Sequence, residues 1–448
     1  MRQQRQLLLT AVALYGIAGG PASGAIADQG ISFLHLPVRT GTRHIRAPGL
    51  SRRAFSPVNF TKSADYYTVL LSIGTPPQKI SVELDTGSAD IWVNPICANA
   101  GPLPGSTEEC EAAGIYDPSA AVPVQSSSTV TGQSLVGFGP FAGDAVLNYY
   151  HDVVSLGDLT VASQLFGIAS DSHNETYGRL GLGPHPVYGF NDSLFLSSVA
   201  KQGSISSRAF SLYFQPVDDA TDGSLLLGGI DRGKFQGALQ KLPIIPASEA
   251  PINNTWANWV RLDDLSVYLP PLPTATSYKL PQNLPSGGGT GAIIDSGSPA
   301  IGLPSNVTAA IYEQLGVQST TSSDGFPLNK VDCGMRGADG FFNFGFGGTE
   351  IGVPVREVVL DGAALGFASG ECYLTVYAND VPVLGSPFLR AAYAVFDWDN
   401  QNIHLARSAN CGTDIVAIGS GPDAVGSPSG NCTPSPKRKI QAERRYGF

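Results

Sequence analysis

Apolar residues come along the chain in short runs closed off by Gly, Pro, Ser and Asn, and sustained helical periodicity is scarce. That pattern predicts a mostly β protein of many short strands. In 79 to 84, Ile80, Val82 and Leu84 alternate with Lys79, Ser81 and Glu83, as expected of a strand with one buried face. This strand runs into Asp85-Thr86-Gly87-Ser88. A second run, Gly291-Ala292-Ile293-Ile294, predicts a fully buried strand and ends in the same way, at Asp295-Ser296-Gly297-Ser298.

The likeness continues downstream. Arg179-Leu180-Gly181 places a Leu-Gly pair with its glycine 96 residues after Asp85, and Val383-Leu384-Gly385 places one 90 residues after Asp295. Matched ends at matched spacing are an internal repeat, which predicts two related lobes presenting the same loop to a shared interface. One Asp-x-Gly-Ser arises easily from common turn residues, whereas two with matched flanks do not. Gly228-Gly229-Ile230-Asp231 marks the crossing between halves, and 269 to 289, rich in Pro, Gly and Ser, is expected to be a surface loop.

The chain of 448 residues is 42% hydrophobic, enough for a large core, and only 14% charged, which disfavours long solvated helices. Its net charge of -10 argues against a nucleic-acid partner. The charge is uneven. Residues 54 to 436 hold 15 basic and 35 acidic side chains, a net of -20, while both ends are basic. So few cations leave little self-repulsion in acid, although an acidic surface also serves solubility alone.

Arg2 and Arg5, the apolar run Leu7 to Ala18 and the small residues 22 to 25 form a signal-peptide pattern, too short to span a bilayer comfortably. The cationic stretch that follows ends in Arg52-Arg53, next to the acidic body. The expected organisation is a signal peptide at 1–24, a propeptide at 25–53, an N-terminal lobe at 54–235, a C-terminal lobe at 236–411, and a linker with a basic tail at 412–448. Six cysteines, Cys97, Cys110, Cys333, Cys372, Cys411 and Cys432, fit a secreted protein with up to three disulfides. Fifteen pairings are open to them, and pairing in chain order is the simplest. Six glycosylation acceptors, at Asn59, Asn174, Asn191, Asn253, Asn306 and Asn431, point to the same extracellular setting. Neither C-x-x-C nor H-E-x-x-H is present, so no metal and no cofactor is expected.

Two carboxyl groups within hydrogen-bonding reach cannot both ionise, so one keeps its proton while the other is a carboxylate. Such a pair can deprotonate a water as it attacks an amide carbonyl and polarise the carbonyl oxygen at the same time. Gly87 and Gly297 let backbone N–H groups approach the carboxylates. Ser88 and Ser298 are expected to donate to the outer carboxylate oxygens, and Thr86 and Ser296 to bond across the lobe junction.

On these residues the chain resembles the pepsin-like aspartic proteases of the secreted, fungal type. Asp85-Thr86-Gly87-Ser88-Ala89-Asp90-Ile91-Trp92-Val93 and Ile293-Ile294-Asp295-Ser296-Gly297-Ser298 are similar to the family's two active-site motifs. Ile73-Gly74-Thr75-Pro76-Pro77-Gln78, Leu180-Gly181-Leu182-Gly183, Phe210-Ser211-Leu212-Tyr213, Leu227-Gly228-Gly229-Ile230-Asp231, and Val383-Leu384-Gly385 through Phe396-Asp397 extend the match, in order, over about 66 to 407. The resemblance implies an all-β, bilobal fold with a cleft for an extended peptide, catalytic Asp85 and Asp295, and a hairpin flap. It also implies disulfides Cys97 to Cys110 and Cys333 to Cys372, with Cys411 to Cys432 outside the usual pattern. The sequence departs from the family in three places. The flap's Tyr-Gly has its best counterpart in Phe138-Gly139, which lacks the hydroxyl that would bond toward Trp92, with Tyr149 or Tyr150 as substitutes. Ser386 stands where many members have an acid. Serines fill two places in the second motif where Thr is common.

The expectation is therefore a secreted, monomeric aspartic endopeptidase that cuts peptide or protein substrates in acid, without a cofactor or a membrane span. The alternative is a catalytically silent binding protein on the same fold. A glycosidase also uses two carboxylates but has no need of repeated Asp-x-Gly-Ser loops, and a serine hydrolase lacks its G-x-S-x-G.

Overall fold

A computed structural model describes the strand Leu34–Thr40 and most of residues 66 to 433. The segments 102–104, 121–124, 127–131, 135–142, 185–193, 219–222, 253–254, 272, 286–287, 322–326 and 366 lie outside the described residues. The fold is all-β, as the short apolar runs predicted, with small helices such as Ser305–Leu315 between strands.

The internal repeat is a repeat of topology. Tyr67–Ile73 pairs antiparallel with Gln78–Asp85, which lies parallel to Gly178–Gly181 with Asp85 opposite Gly181. Gly178–Gly181 pairs antiparallel with Ile91–Val93, which lies parallel to Leu159–His173. The second half follows the same order. Trp259–Leu262 pairs antiparallel with Thr290–Ile294, then Val383–Leu384 lies parallel, Ile301–Leu303 antiparallel and Val376–Ala378 parallel. In each half the chain leaves the aspartate strand, turns, and returns on the far side of the Leu-Gly strand. The glycine there is required, because a Cβ at Gly181 or Gly385 would collide with backbone atoms of Ala89 or Ser298.

A central sheet joins the halves, in the order Phe235–Pro243, Asn402–Ser408, Ala392–Asp397, Ala209–Tyr213, Gly223–Leu227 and Leu34–Thr40. Cross-strand aromatic pairs lock it. Phe210 lies opposite Phe396 with ring centroids 4.7 Å apart, and Phe235 stacks on Tyr393 at 4.9 Å.

Two expectations are corrected here. Alternation put Glu83 on the polar face of its strand, yet Glu83 is only 3% exposed, because the end of this strand runs under Arg179 and Glu175. The stretch from Gly412, expected to be linker, is ordered as far as residue 433. Ile415–Ala417 pairs with Gly229–Asp231, and Ser429–Asn431 pairs with Phe235–Pro243. The Cys411–Cys432 disulfide ties both ends of this strap, and Asp414 meets Arg232 at 2.8 Å. Polar composition hid a segment held by backbone pairing rather than by an apolar face. The basic residues from 437 onward lie outside the described residues.

All six cysteines are bridged, as Cys97–Cys110, Cys333–Cys372 and Cys411–Cys432, which is pairing in chain order. Asn174, Asn306 and Asn431 are exposed, while Asn59, Asn191 and Asn253 lie outside the described residues. Among the described residues, no helix is long and apolar enough to cross a membrane.

One buried ion pair links the second half to the first. Arg390 Nε donates to Glu357 Oε2 at 2.7 Å and Nη2 to the Glu357 carbonyl at 2.7 Å, with Nη1 3.4 Å from the Tyr67 hydroxyl. Both side chains are at most 2% exposed. Replacing Arg390 with Met leaves Glu357 with the half-exposed Arg356, at 3.6 Å, and the Val217 N–H, at 3.1 Å. The expected loss is roughly 3–5 kcal/mol of unfolding free energy, read from the urea midpoint. Adding Glu357→Gln should recover much of that loss, because the stranded charge is then gone.

Candidate active site

The Asp85 strand and the Asp295 strand end facing each other. An ideal Cβ on Gly87 would lie 2.5 Å from Asp295 Oδ1, and one on Gly297 would lie 2.6 Å from Asp85 Oδ1. Each glycine is therefore pressed against the carboxyl group of the opposite half, and any side chain there would displace it. Asp85 and Asp295 face each other across these contacts and are 3% and 7% exposed.

Thr86 and Ser296 hold this approach through four reciprocal bonds. The Thr86 hydroxyl donates to the Ile294 carbonyl at 2.9 Å and accepts the Ser296 N–H at 2.9 Å. The Ser296 hydroxyl donates to the Leu84 carbonyl at 2.6 Å and accepts the Thr86 N–H at 2.9 Å. Ile294 and Leu84 immediately precede the two aspartates, so the bonds fix the strand ends themselves. The Asn258 side chain adds a fifth link to the Thr86 carbonyl at 2.8 Å. Both hydroxyls thus bond across the junction as expected.

The carboxyl groups are not equally served. Asp85 Oδ1 accepts the N–H groups of Gly87 at 2.7 Å and Ser88 at 3.2 Å, and its Oδ2 accepts the Ser88 hydroxyl at 2.5 Å. Asp295 Oδ1 accepts the Gly297 N–H at 3.0 Å. Ser298, expected to mirror Ser88, instead donates to the Ala300 carbonyl at 3.1 Å and bonds Tyr377. Burial, reinforced by the charge of Asp85, holds the Asp295 carboxyl well above the usual carboxylate range.

Three further charged residues line the pocket in front of the pair, and the sequence pattern did not single them out. They are Glu83, Glu175 and Arg179. Arg179 bonds both oxygens of Glu175, at 2.8 and 2.9 Å, and lies 3.7 Å from Glu83 and 3.5 Å from Asp85 Oδ2. Its guanidinium also stands over the Trp92 ring, 5.9 Å from the centroid. The available signal was a cation inside an otherwise apolar Gly-x-Leu-Gly strand, two residues before a close-approach glycine.

Trp92 is fully buried among Leu147, Tyr149 and Leu165. Tyr149 is core as well, with its hydroxyl 3.3 Å from Asp90, and Tyr150 packs near Phe166, so neither stands over the pair. Phe138 and Gly139 lie outside the described residues, but the flanking strands do pair, with Gly132 opposite Leu147 and Ser134 opposite Ala145.

The family model for eukaryotic aspartyl proteases matches residues 66–408. The chain belongs to that family. A protein of Aspergillus fumigatus named probable aspartic-type endopeptidase opsB is 32% identical over 384 residues, covering 81% of this chain and 73% of its own. Aspartic proteinase yapsin-3 of Saccharomyces cerevisiae is 28% identical over 458 aligned residues, covering 96% and 83%. Secreted aspartic protease 1 of Candida albicans is 27% identical over 379 residues, covering 83% and 88%. In this aspartyl protease family member, the bilobal pepsin-like fold is what turns a sequence repeat into a facing pair of acids.

The glycine contacts make a direct prediction. Gly297→Ala should retain the fold, because Gly297 lies at the pocket surface, but push Asp85 away. Binding of a hydroxyl-containing transition-state-like peptide, measured by calorimetry, is expected to weaken by at least tenfold, with the melting temperature nearly unchanged.

Proposed function

We propose that the chain is a secreted aspartic endopeptidase hydrolysing peptide bonds of proteins in acid, with Asp85 and Asp295 as its catalytic pair. The observation that carries this reading is the approach of the two carboxyl groups from opposite halves, each against the glycine of the other. Membership of the aspartyl protease family supports it, and similarity to secreted aspartic protease 1 of Candida albicans supports secretion.

The hydrogen bonds support a division of roles. Three donors within the Asp85 loop favour its carboxylate, while Asp295 accepts one N–H from its own loop and is held above the usual range. Asp85 therefore acts as base toward a water seated between the two, and Asp295 donates to the carbonyl oxygen of the scissile amide. As the tetrahedral intermediate collapses and its C–N bond breaks, the proton taken up by Asp85 goes to the leaving amine and the proton given to the carbonyl oxygen returns to Asp295, which restores the pair without a covalent adduct. Thr86, Ser296, Gly87, Gly297 and Ser88 position the pair. The substrate lies extended along the cleft, bound through its main chain, with Trp92 and the segment around Phe138 and Gly139 on the flap side.

The same reading makes the chain a precursor that acts as a monomer, with a signal peptide at 1–24 and a propeptide at 25–53 released after Arg53. The body then divides into lobes at 54–235 and 236–411, followed by the strap and basic tail of 412–448.

A peptide library digested across pH 3 to 7, read by mass spectrometry, tests the assignment. Cleavage is expected to fall at low pH, where the pair carries two protons, and at high pH, where it carries none. Asp85→Asn and Asp295→Asn should each lower kcat by about 10³-fold with the melting curve retained. A wild-type protein that cuts nothing at any of these pH values, while still folded, would be a silent binder and not a protease.

A further inference from the structure

Arg179 occupies an unusual place. It projects from Gly178–Gly181, whose neighbours Leu180 and Leu182 belong to the core, yet it is 13% exposed and reaches the pocket wall. Glu175 grips it with two bonds, Glu83 stands behind it, and Asp85 Oδ2 is 3.5 Å from Nη1. Three buried charges are a poor source of stability, since apolar residues in their place are often as good or better. Their position at the reacting pair calls for a functional account. A second observation points the same way, because Glu83 Oε1 is buried without a hydrogen-bond partner among the described residues.

We propose that Arg179 is a positioning residue whose buried cation, held beside the aspartate pair by Glu175, sets the acidic pH window in which the pair works. The inference rests on the protease reading above and goes beyond it, because the Asp-Thr-Gly-Ser loops supply no cation of their own.

The charged groups facing the pair come from every element packed on it. They are Glu83 on the Asp85 strand, Glu175 before the Gly178–Gly181 strand, Arg179 on it, Tyr66 ahead of Tyr67–Ile73, and Tyr377 on Val376–Ala378. Both phenols are pushed up by burial and stay neutral. Burial works against the guanidinium charge, but Glu175, Asp85 and Glu83 outweigh it. Burial also raises Glu83 and Glu175, so both take up protons as the pH falls. Arg179 then faces the pair with less competing negative charge. A cation 3.5 Å from Asp85 favours the ionised form of either aspartate, so it moves both limbs of the activity profile toward lower pH.

The test is the kcat profile from pH 2.5 to 7.5 on one library-derived peptide, for the wild type and three variants. Arg179→Met should move both limbs up by about one pH unit. Arg179→Met combined with Glu175→Gln removes the stranded acid, so that a folded protein is available if the single variant collapses, and should show a smaller shift of the same sign. Arg179→Lys keeps the charge and should return the profile most of the way to the wild type. Limbs that coincide in all four proteins, even with lower kcat or melting temperature, would make Arg179 purely structural and overturn the inference while leaving the protease standing. A folded wild type without peptidase activity would instead remove the protease reading, and this inference with it.

Discussion

Two carboxyl groups are forced into one buried place, and the surrounding structure exists to tolerate that. Left alone, two acids this close would repel and separate, and burial makes the repulsion stronger than in water. Four hydrogen bonds between Thr86, Ser296 and the carbonyls of Leu84 and Ile294 hold the strand ends together from both sides. None of the four involves the carboxyl groups, so the approach is fixed by backbone and hydroxyls whatever the aspartates' charge. Parallel pairing of each aspartate strand with a Leu-Gly strand then anchors this junction in the cores of both halves.

The charges around the pair break the symmetry of that frame. Ser88 and Arg179 both lie on the Asp85 side, while Ser298 turns away to Ala300 and Tyr377. Ser386 is buried with its hydroxyl 3.3 Å from Arg390, beside the Glu357 ion pair. Asp295 accepts one N–H from its own loop, and burial together with the neighbouring Asp85 holds its carboxyl above the usual carboxylate range. A twofold backbone thus carries two chemically different acids.

Much of this was legible in the sequence because it depends on local pattern. The alternation at Ile80, Val82 and Leu84 is set by a strand with a buried face, and the two Asp-x-Gly-Ser loops are set by turn geometry repeated at similar spacing. The cross-junction bonds of Thr86 and Ser296 were legible for the same reason, since two related loops meeting head on turn each hydroxyl toward the backbone of the opposite half. Glu83 was misread, because alternation assumes that one face of a strand meets solvent, and at the junction neither face does. Arg179 and Glu175 form their ion pair four residues apart across a bend, and only the fold brings Glu83 and Asp85 onto them. The strap from 412 to 433 escaped because backbone ladders and a disulfide hold it, and neither leaves a hydrophobic signature.

That contrast bears on how a repeated fold acquires a particular chemistry. The aspartates, the glycines against them and the grip hydroxyls each touch the opposite half, so a change at one disturbs the other half as well. The position of Arg179 has no such partner. Its equivalent in the second half is Val383, buried beside Ile293 in an apolar cluster that also holds Trp259. A charge can therefore be placed on one side without straining the other, provided acids such as Glu175 and Glu83 are within reach to keep it buried. Adjusting the pair from outside the duplicated set leaves the geometry of the junction untouched.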